Sequence, residues 1–336
     1  MMAGKAFISG VAGFLGSHLA ERFVDLGWDV VGVDSLIGGS ERNVPDGVEF
    51  RVADCCDRAS YADLLRGSDL VFHCASAAYD GLSVFSPSFV HRNTAQATVD
   101  LASAALAAGV GRFVHCSSMA RYGALPAPFT EDMTPQPVSP YGLAKLSSET
   151  MVRTLFTTHG GEYAIAVPHN IIGPRQRYFD PYRNVAAIMI SRMLRGEQPV
   201  IYGDGGQMRC FSFVDDVLSC LERMGTDGSA AGEVINVGPD EETVSILGLA
   251  EEIAAILSFP LDPIFVPARP LEVPFATCSA DKARRLLGYR TTVPLRDGLK
   301  KMVEWIAAQE PVPFRYDLDI EIPTAATPST WVDHLI

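Results

Sequence analysis

A tyrosine and a lysine four residues apart, Tyr141 and Lys145 of the segment YGLAK, are the first residues of this chain whose types and spacing suggest a reaction. Residues i and i+4 of a helix share one face. An ammonium close to a phenol stabilises the phenolate and draws the tyrosine pKa from about 10 towards neutrality, which makes a general base. Of the ten tyrosines only Tyr141 has a lysine in that relation. Ser139-Pro140, just before it, is a helix-start signal. Upstream lies the serine pair Ser117-Ser118 at the end of an apolar segment that reads as a strand. Ligands of open parallel sheets bind at the carboxyl ends of strands, where a serine hydroxyl can bond and orient a reacting oxygen.

A second constellation stands at the N-terminus. Gly10, Gly13 and Gly16 of GVAGFLG follow an apolar strand-like segment and open a helical one. Glycines there let the backbone turn tightly and approach a pyrophosphate, to which the helix start offers free N–H groups and partial positive charge. Asp34 ends the next strand-like segment. A carboxylate at that place accepts hydrogen bonds from the adenosine ribose hydroxyls and repels a 2′-phosphate, so the expected cofactor is NAD rather than NADP.

These residues must be positioned by alternating strands and helices. Strands are expected at Lys5–Ser9, Val30–Asp34, Val48–Val52, Leu70–Cys74, Phe113–Ser117 and Tyr163–Val167, with helices at Phe14–Leu26, Thr94–Ala108 and Tyr141–Leu155. Short apolar strands separated by helices make an α/β fold, a doubly wound parallel sheet covered on both faces. From about Asn170 the texture changes to prolines, glycines and arginines. Phe211–Val217 and Val234–Val237 read as two returns to the sheet. The expected division is residues 1–169 plus about 211–239 for the cofactor, and about 170–210 plus 240–336 as a smaller, discontinuous substrate domain. The proline-rich stretch after Glu310 is expected to pack as an irregular extension.

Composition narrows the partners. A net charge of −13 lacks the basic surface that a general nucleic-acid binder needs, yet leaves room for a few arginines in a phosphate pocket. No run of about 18 apolar residues suggests a membrane span, and the first residues do not read as a signal peptide. The seven cysteines have scattered spacings with no CxxC pair, which suggests reduced thiols of a cytoplasmic protein and no metal site.

Together these segments resemble the extended short-chain dehydrogenase/reductases, and among them the UDP-galactose 4-epimerase-like enzymes. The resemblance runs along nearly the whole chain: GVAGFLG, Asp34, Asp54, VFHCASAA, Asn93, CSSMARYG, YGLAK, PHNIIGP, YGDGGQMR, FVDDV and ARPLEVP. It implies a Rossmann-type fold. It implies that Phe14 and Leu15 cover the pyrophosphate, that Asp54 and Cys55 flank the adenine, and that Cys74, Ala75, Ala77 and Pro168 line the nicotinamide half with Asn93 and Ser117 in support. Ser118, rather than Ser117, fits the catalytic serine of the SSxxxYG pattern, and Lys145 would also bond the nicotinamide ribose. In the second half Asn170, Arg209 and Arg269 match residues that hold a substrate diphosphate, Asn184 and Val185 the helix start beside the nucleotide, and Val200 and Tyr202 residues that meet the base. Two arginines suit one diphosphate, since their fork-shaped contacts both bind and orient it. Arg121, where the family has a small aliphatic residue, and Leu271, where it has glycine, depart from the pattern.

The resemblance implies an NAD-dependent nucleotide-sugar 4-epimerase of the UDP-glucose/UDP-galactose or UDP-N-acetylglucosamine type: Tyr141 takes the 4-hydroxyl proton, hydride leaves C4 for the nicotinamide, and the 4-keto sugar turns about its diphosphate and is reduced on the other face.

 The main alternatives share the first oxidation: a 4,6- or 5,6-dehydratase, a decarboxylase, or a reductase of a 4-keto sugar. Dehydratases of this kind have Asp-Glu directly after the catalytic Ser or Thr, where this chain has Met119-Ala120. A remote alternative, a non-catalytic NAD-sensing regulator, leaves the tyrosine and lysine unexplained. Ala276, where a bulky tyrosine would confine the pocket, suggests room for an N-acetyl group, while Arg121 offers a partner for a carboxylated sugar. UDP is the expected nucleotide by resemblance. A homodimer is expected through Thr94–Ala108 and Tyr141–Leu155.

Overall fold

The structure, a computed structural model, describes residues 3–336. The first half alternates as the sequence suggests: β1 (Lys5–Ser9), α1 (Phe14–Asp25), β2 (Asp29–Asp34), β3 (Val48–Val52), β4 (Leu70–His73), then α2 (Pro87–His91) and α3 (Ala97–Ala108), β5 (Arg112–Cys116), α4 (Pro140–His159) and β6 (Glu162–Pro168). The second half contains β7 (Ile171–Ile172), α5 (Val185–Leu194), β8 (Val200–Tyr202), β9 (Met208–Arg209), β10 (Ser212–Phe213), α6 (Val214–Thr226), β11 (Val234–Val237), β12 (Val244–Ser245), α7 (Ile246–Leu257), β13 (Ile264–Val266) and β14 (Phe275–Ala276).

Seven parallel strands form the main sheet in the order β11-β6-β5-β4-β1-β2-β3. The strand order reverses beside β1, which pairs with β2 on one side and β4 on the other. A crevice opens at the carboxyl ends at such a switch point, and ligands of doubly wound sheets bind there. Strands β4, β5 and β11 are buried along their whole length, as expected for strands covered on both faces. Among the described residues no helix is long and apolar enough to cross a membrane.

Helices α2 and α3 are joined by a π-helical turn, Arg92–Gln96, so the helix expected from Thr94 begins with a wide turn that carries Asn93. Helix α4 starts as its sequence dictates. Pro140 occupies the first turn, and the Ser139 hydroxyl accepts a bond from Gly142 N at 3.0 Å. Gly160, at φ 71°, ends it.

Phe211–Val217 does not return to the main sheet. Ser212–Phe213 pairs with β7 in a separate two-stranded sheet, and Val214 already belongs to α6. The apolar residues Val214, Val217, Leu218, Leu221 and Met224 recur at helical spacing, and Asp215 and Asp216 favour a helix N-terminus. Val234–Val237 does return, as edge strand β11 beside β6. The remaining strands form small pairs: β8 with β13, and β9 between β12 and β14. The stretch after Glu310 runs without regular structure until Ser329. It is tied down by particular contacts. Glu321 accepts bonds from Ser88 N and Phe89 N at the start of α2, at 2.9 and 2.7 Å, and Trp331 is buried against Phe85 and Tyr182.

Candidate active site

A cleft of about 560 Å³ runs over the carboxyl ends of the sheet. The residues singled out in the sequence, from Gly10 in the first turn to Ala276 in β14, line it, with the exception of Arg121.

At one end lies the glycine turn. Gly10 has φ 75°, and a Cβ there would stand 2.8 Å from Ala75 N; a Cβ on Gly16 would meet Gly10 O at 2.1 Å. Only glycine allows this turn. No side chain caps the N-terminus of α1, so its N–H groups are available to an anion. Asp34 is held by Leu36 N at 2.7 Å and Ala12 N at 3.1 Å. Burial pushes its carboxyl up and these backbone bonds oppose the shift. Each carboxylate oxygen keeps acceptor capacity for a ribose hydroxyl. Asp54 bonds Cys56 N at 2.8 Å and Arg92 at 2.7 Å. Ala77 N donates to Asn93 O at 3.2 Å, so the π-helical turn fixes the wall after β4. The Cys74 and Cys116 sulfurs lie 3.8 Å apart on adjacent strands. The turn, the free helix end and the acidic strand end fit a dinucleotide with two free ribose hydroxyls.

In the middle, α4 presents Tyr141, Lys145 and Glu149 on one buried face. The Lys145 ammonium lies 5.8 Å from the Tyr141 ring centroid and donates to Cys116 O at 2.8 Å. Burial pulls Lys145 down to about 8 and pushes Tyr141 up to about 12, the latter opposed by bonds to the Ser118 and Ser76 hydroxyls. The expected drop of the phenol towards neutrality is therefore absent from this geometry. Desolvation outweighs the ammonium, which is turned to a carbonyl.

The two serines have different fates. Ser117 donates its hydroxyl to buried Glu149, whereas Ser118 accepts from Ala120 N at 3.2 Å and faces the phenol. Arg121 points away from the cleft: its Nε lies 3.1 Å from Glu149 Oε1, with only 4% and 2% of the two side chains exposed. A role for Arg121 as the partner of a sugar carboxylate is thereby overturned.

The far end belongs to the second half of the chain. Asn184 caps α5, its Oδ1 accepting from Ala187 N at 3.1 Å, and Val185 follows at the helix start. Asn170, at φ 31°, donates to Cys210 O at 2.9 Å. Strands β9 and β14 set Arg209 beside Ala276. Arg269 stacks 4.7 Å from the Tyr202 ring centroid and bonds Glu272 at 3.0 Å; Glu272 also lies 3.9 Å from Arg209. Leu271 holds φ 59°, a conformation natural to glycine, which accounts for the glycine usual at this place.

The polar cleft residues Ser76, Asp80, Arg183 and Glu272 are among those that escaped the sequence reading. They sit on loops, where no periodicity tells which side chains turn inward. Glu149 carried a usable signal, since it follows Tyr141 and Lys145 at the same spacing of four. Among the described residues no group of His, Cys, Asp and Glu could hold a metal ion.

Comparison with known proteins agrees with this site. Residues 6–238 match the model of the NAD dependent epimerase/dehydratase family. The UDP-glucose 4-epimerase of Mycolicibacterium smegmatis is 35% identical over 312 residues, covering 90% of this chain and 98% of that protein. A Thermotoga maritima UDP-glucose 4-epimerase, solved with UDP-glucose, superimposes with a TM-score of 0.84 at 30% identity, covering 90% and 98% of the two chains. A Bacillus cereus UDP-glucuronic acid 4-epimerase, solved with UDP-glucuronic acid and NAD, gives 0.83 at 29% identity over 90% and 98%. The chain belongs to the NAD-dependent epimerase/dehydratase family. It is an enzyme of the extended short-chain dehydrogenase/reductase type, and its cofactor is NAD.

Proposed function

We propose that this enzyme is a nucleotide-sugar 4-epimerase working through a transient 4-keto sugar, with a UDP-sugar as substrate. One observation carries the reading: a serine-tyrosine-lysine set at the middle of the cleft faces an arginine pair at its far end. The pair would hold a diphosphate while the sugar reaches the phenol.

The cofactor would lie along Gly10, Gly13, Phe14, Leu15 and Gly16, with Asp34 on the adenosine ribose, Asp54 and Cys55 by the adenine, and Cys74, Ala75, Ala77, Asn93, Ser117 and Pro168 around the nicotinamide half. Bound NAD supplies the hydride acceptor and, once reduced, the donor. Tyr141 accepts the proton of the sugar 4-hydroxyl, Ser118 aligns that oxygen, and Lys145 stabilises the phenolate once its ammonium turns from Cys116 O towards the nicotinamide ribose and the phenol. Arg209, Arg269 and Asn170 hold the diphosphate while the ketone turns, and Asn184, Val185, Val200 and Tyr202 hold the nucleotide. The small Ala276 leaves room for an N-acetyl group. We assign residues 1–169 plus about 211–239 to cofactor binding and the rest to substrate, in a cytoplasmic homodimer.

A dehydratase needs an acid and a base at C5 and C6 of the sugar. Met119 and Ala120 offer neither, which favours simple return of the hydride. The test is incubation of the purified protein, without added NAD, with UDP-glucose and separately with UDP-N-acetylglucosamine. A 4-epimer from either sugar is expected, together with NAD in an acid extract. A 4-keto-6-deoxy product, or no 4-epimer, would overturn the reading; turnover of UDP-glucose alone would overturn the role given to Ala276.

A further inference from the structure

Asp80 has no part in the chemistry described above, yet it faces the substrate end of the cleft. The residue is solvent-accessible and lines the open cleft. One oxygen accepts a bond from Ser139, whose hydroxyl in turn caps Gly142 N, next to Tyr141. The other oxygen makes no hydrogen bond among the described residues. On the opposite side the chain leads to the arginine pair: a Cβ on the neighbouring Gly81 would stand 3.2 Å from the Arg269 guanidinium. Asp80 forms no ion pair with either arginine, because Glu272 takes that place. The carboxylate thus stands between the phenol and the arginines, along the span that a sugar must occupy.

We infer that Asp80 sets the substrate class: the cleft takes nucleotide sugars with an uncharged hexose and rejects those whose hexose carries a carboxylate. This rests on the nucleotide-sugar reading of the site. The free oxygen accepts a hydrogen bond from a sugar hydroxyl or amide N–H. A sugar carboxylate in the same span meets a like charge, and no spare cation compensates it. Arg209 and Arg269 share the carboxylate of Glu272, and a bound diphosphate would take up the charge that remains. Arg183 lies over the Tyr79 ring at 4.7 Å and within 3.5 Å of Asp180, and Arg121 is locked to Glu149. Like charges about 5 Å apart at an effective dielectric near 20 correspond to roughly a hundredfold in affinity.

Calorimetric titration of the NAD-loaded enzyme with UDP-glucose, UDP-glucuronate and UDP tests this. Wild type should bind UDP-glucose at least tenfold more tightly than UDP-glucuronate. Asp80→Asn, which keeps an acceptor for Ser139, should shrink that ratio at least tenfold, and Asp80→Val should shift it the same way. Taking the ratio cancels any gain in diphosphate binding, which UDP alone reports. Equal binding of both sugars by wild type, or a ratio unmoved in a folded variant, overturns the inference. Failure of the epimerase reading is seen separately: the affinities would keep their order while UDP-glucose gave no 4-epimer.

Discussion

Arg121 and Glu149 meet as a buried ion pair at 3.1 Å, directly behind the Ser117 hydroxyl that also bonds Glu149. Arg121 continues to the Tyr122 hydroxyl at 3.2 Å, and Tyr122 to Asn236 at 2.8 Å. The network joins α4, the turn after β5 and edge strand β11. Removing one partner of a buried pair leaves an uncompensated charge. Arg121→Val should therefore cost about 3–5 kcal/mol of unfolding free energy. Arg121→Val with Glu149→Leu should recover much of that loss. Denaturant titration measures both, and a single variant as stable as wild type would refute the account.

Tyr141→Phe removes the phenol that the proposed mechanism uses for proton transfer. It should lower kcat by about 10²–10⁴ while leaving nucleotide-sugar affinity within a fewfold. Steady-state kinetics and a binding titration separate the two. A variant with near-normal kcat would show that another group carries the proton.

Three buried histidines make stability depend on acid. Burial pulls His73 down to about 3 and His169 to about 4, and holds His115 well below its usual value. Both ring nitrogens of His115 lack hydrogen-bond partners among the described residues. Between pH 6.5 and about 4 the unfolded chain binds protons that the folded chain refuses, so stability falls as pH falls through this window. Three such groups give a slope approaching 4 kcal/mol per pH unit near pH 5. Denaturation curves at pH 7, 6 and 5 should show a progressive loss. His115→Asn should flatten it, and a wild-type curve flat across this range would contradict the prediction.

Asp34→Ser removes a charge from the expected ribose site. NAD affinity should fall about tenfold to a hundredfold, the range of one hydrogen bond to a charged group, and discrimination against NADP should shrink. Titration of cofactor-stripped protein with each dinucleotide reads both. Unchanged preference would mean that Asp34 only braces the turn through Ala12 N and Leu36 N.

Leu143 and Met151 are 55% and 44% exposed on the outer face of α4. If α3 and α4 form the dimer contact, Leu143→Glu should give a monomer by sedimentation at micromolar concentration. A dimer that survives this change would place the contact elsewhere.

Tyr141, Lys145, the glycine turn and Asp34 could be read from the chain because each is bound to a local rule. A spacing of four on a helix, a turn that excludes a Cβ, and a strand end are properties of a few consecutive residues. The parallel sheet was legible for the same reason, through short apolar runs alternating with helices. Phe211–Val217 misled because a short apolar run satisfies strand and helix patterns alike, and only packing of Val214 onwards beneath the sheet decides for helix. Arg121 and Asp80 were beyond local rules. A charged residue on a turn can face solvent, a ligand or a buried partner, and the choice depends on where Glu149, Ser139 and Arg269 stand, all distant in sequence or on other elements. The sequence by itself determined the cofactor turn, the acid-base pair and the order of strands and helices, since these follow from local geometry and hydrophobic period. Only the tertiary structure decided which charges face the cleft and which neutralise one another, because that depends on long-range packing and on the cost of burying a charge without its partner.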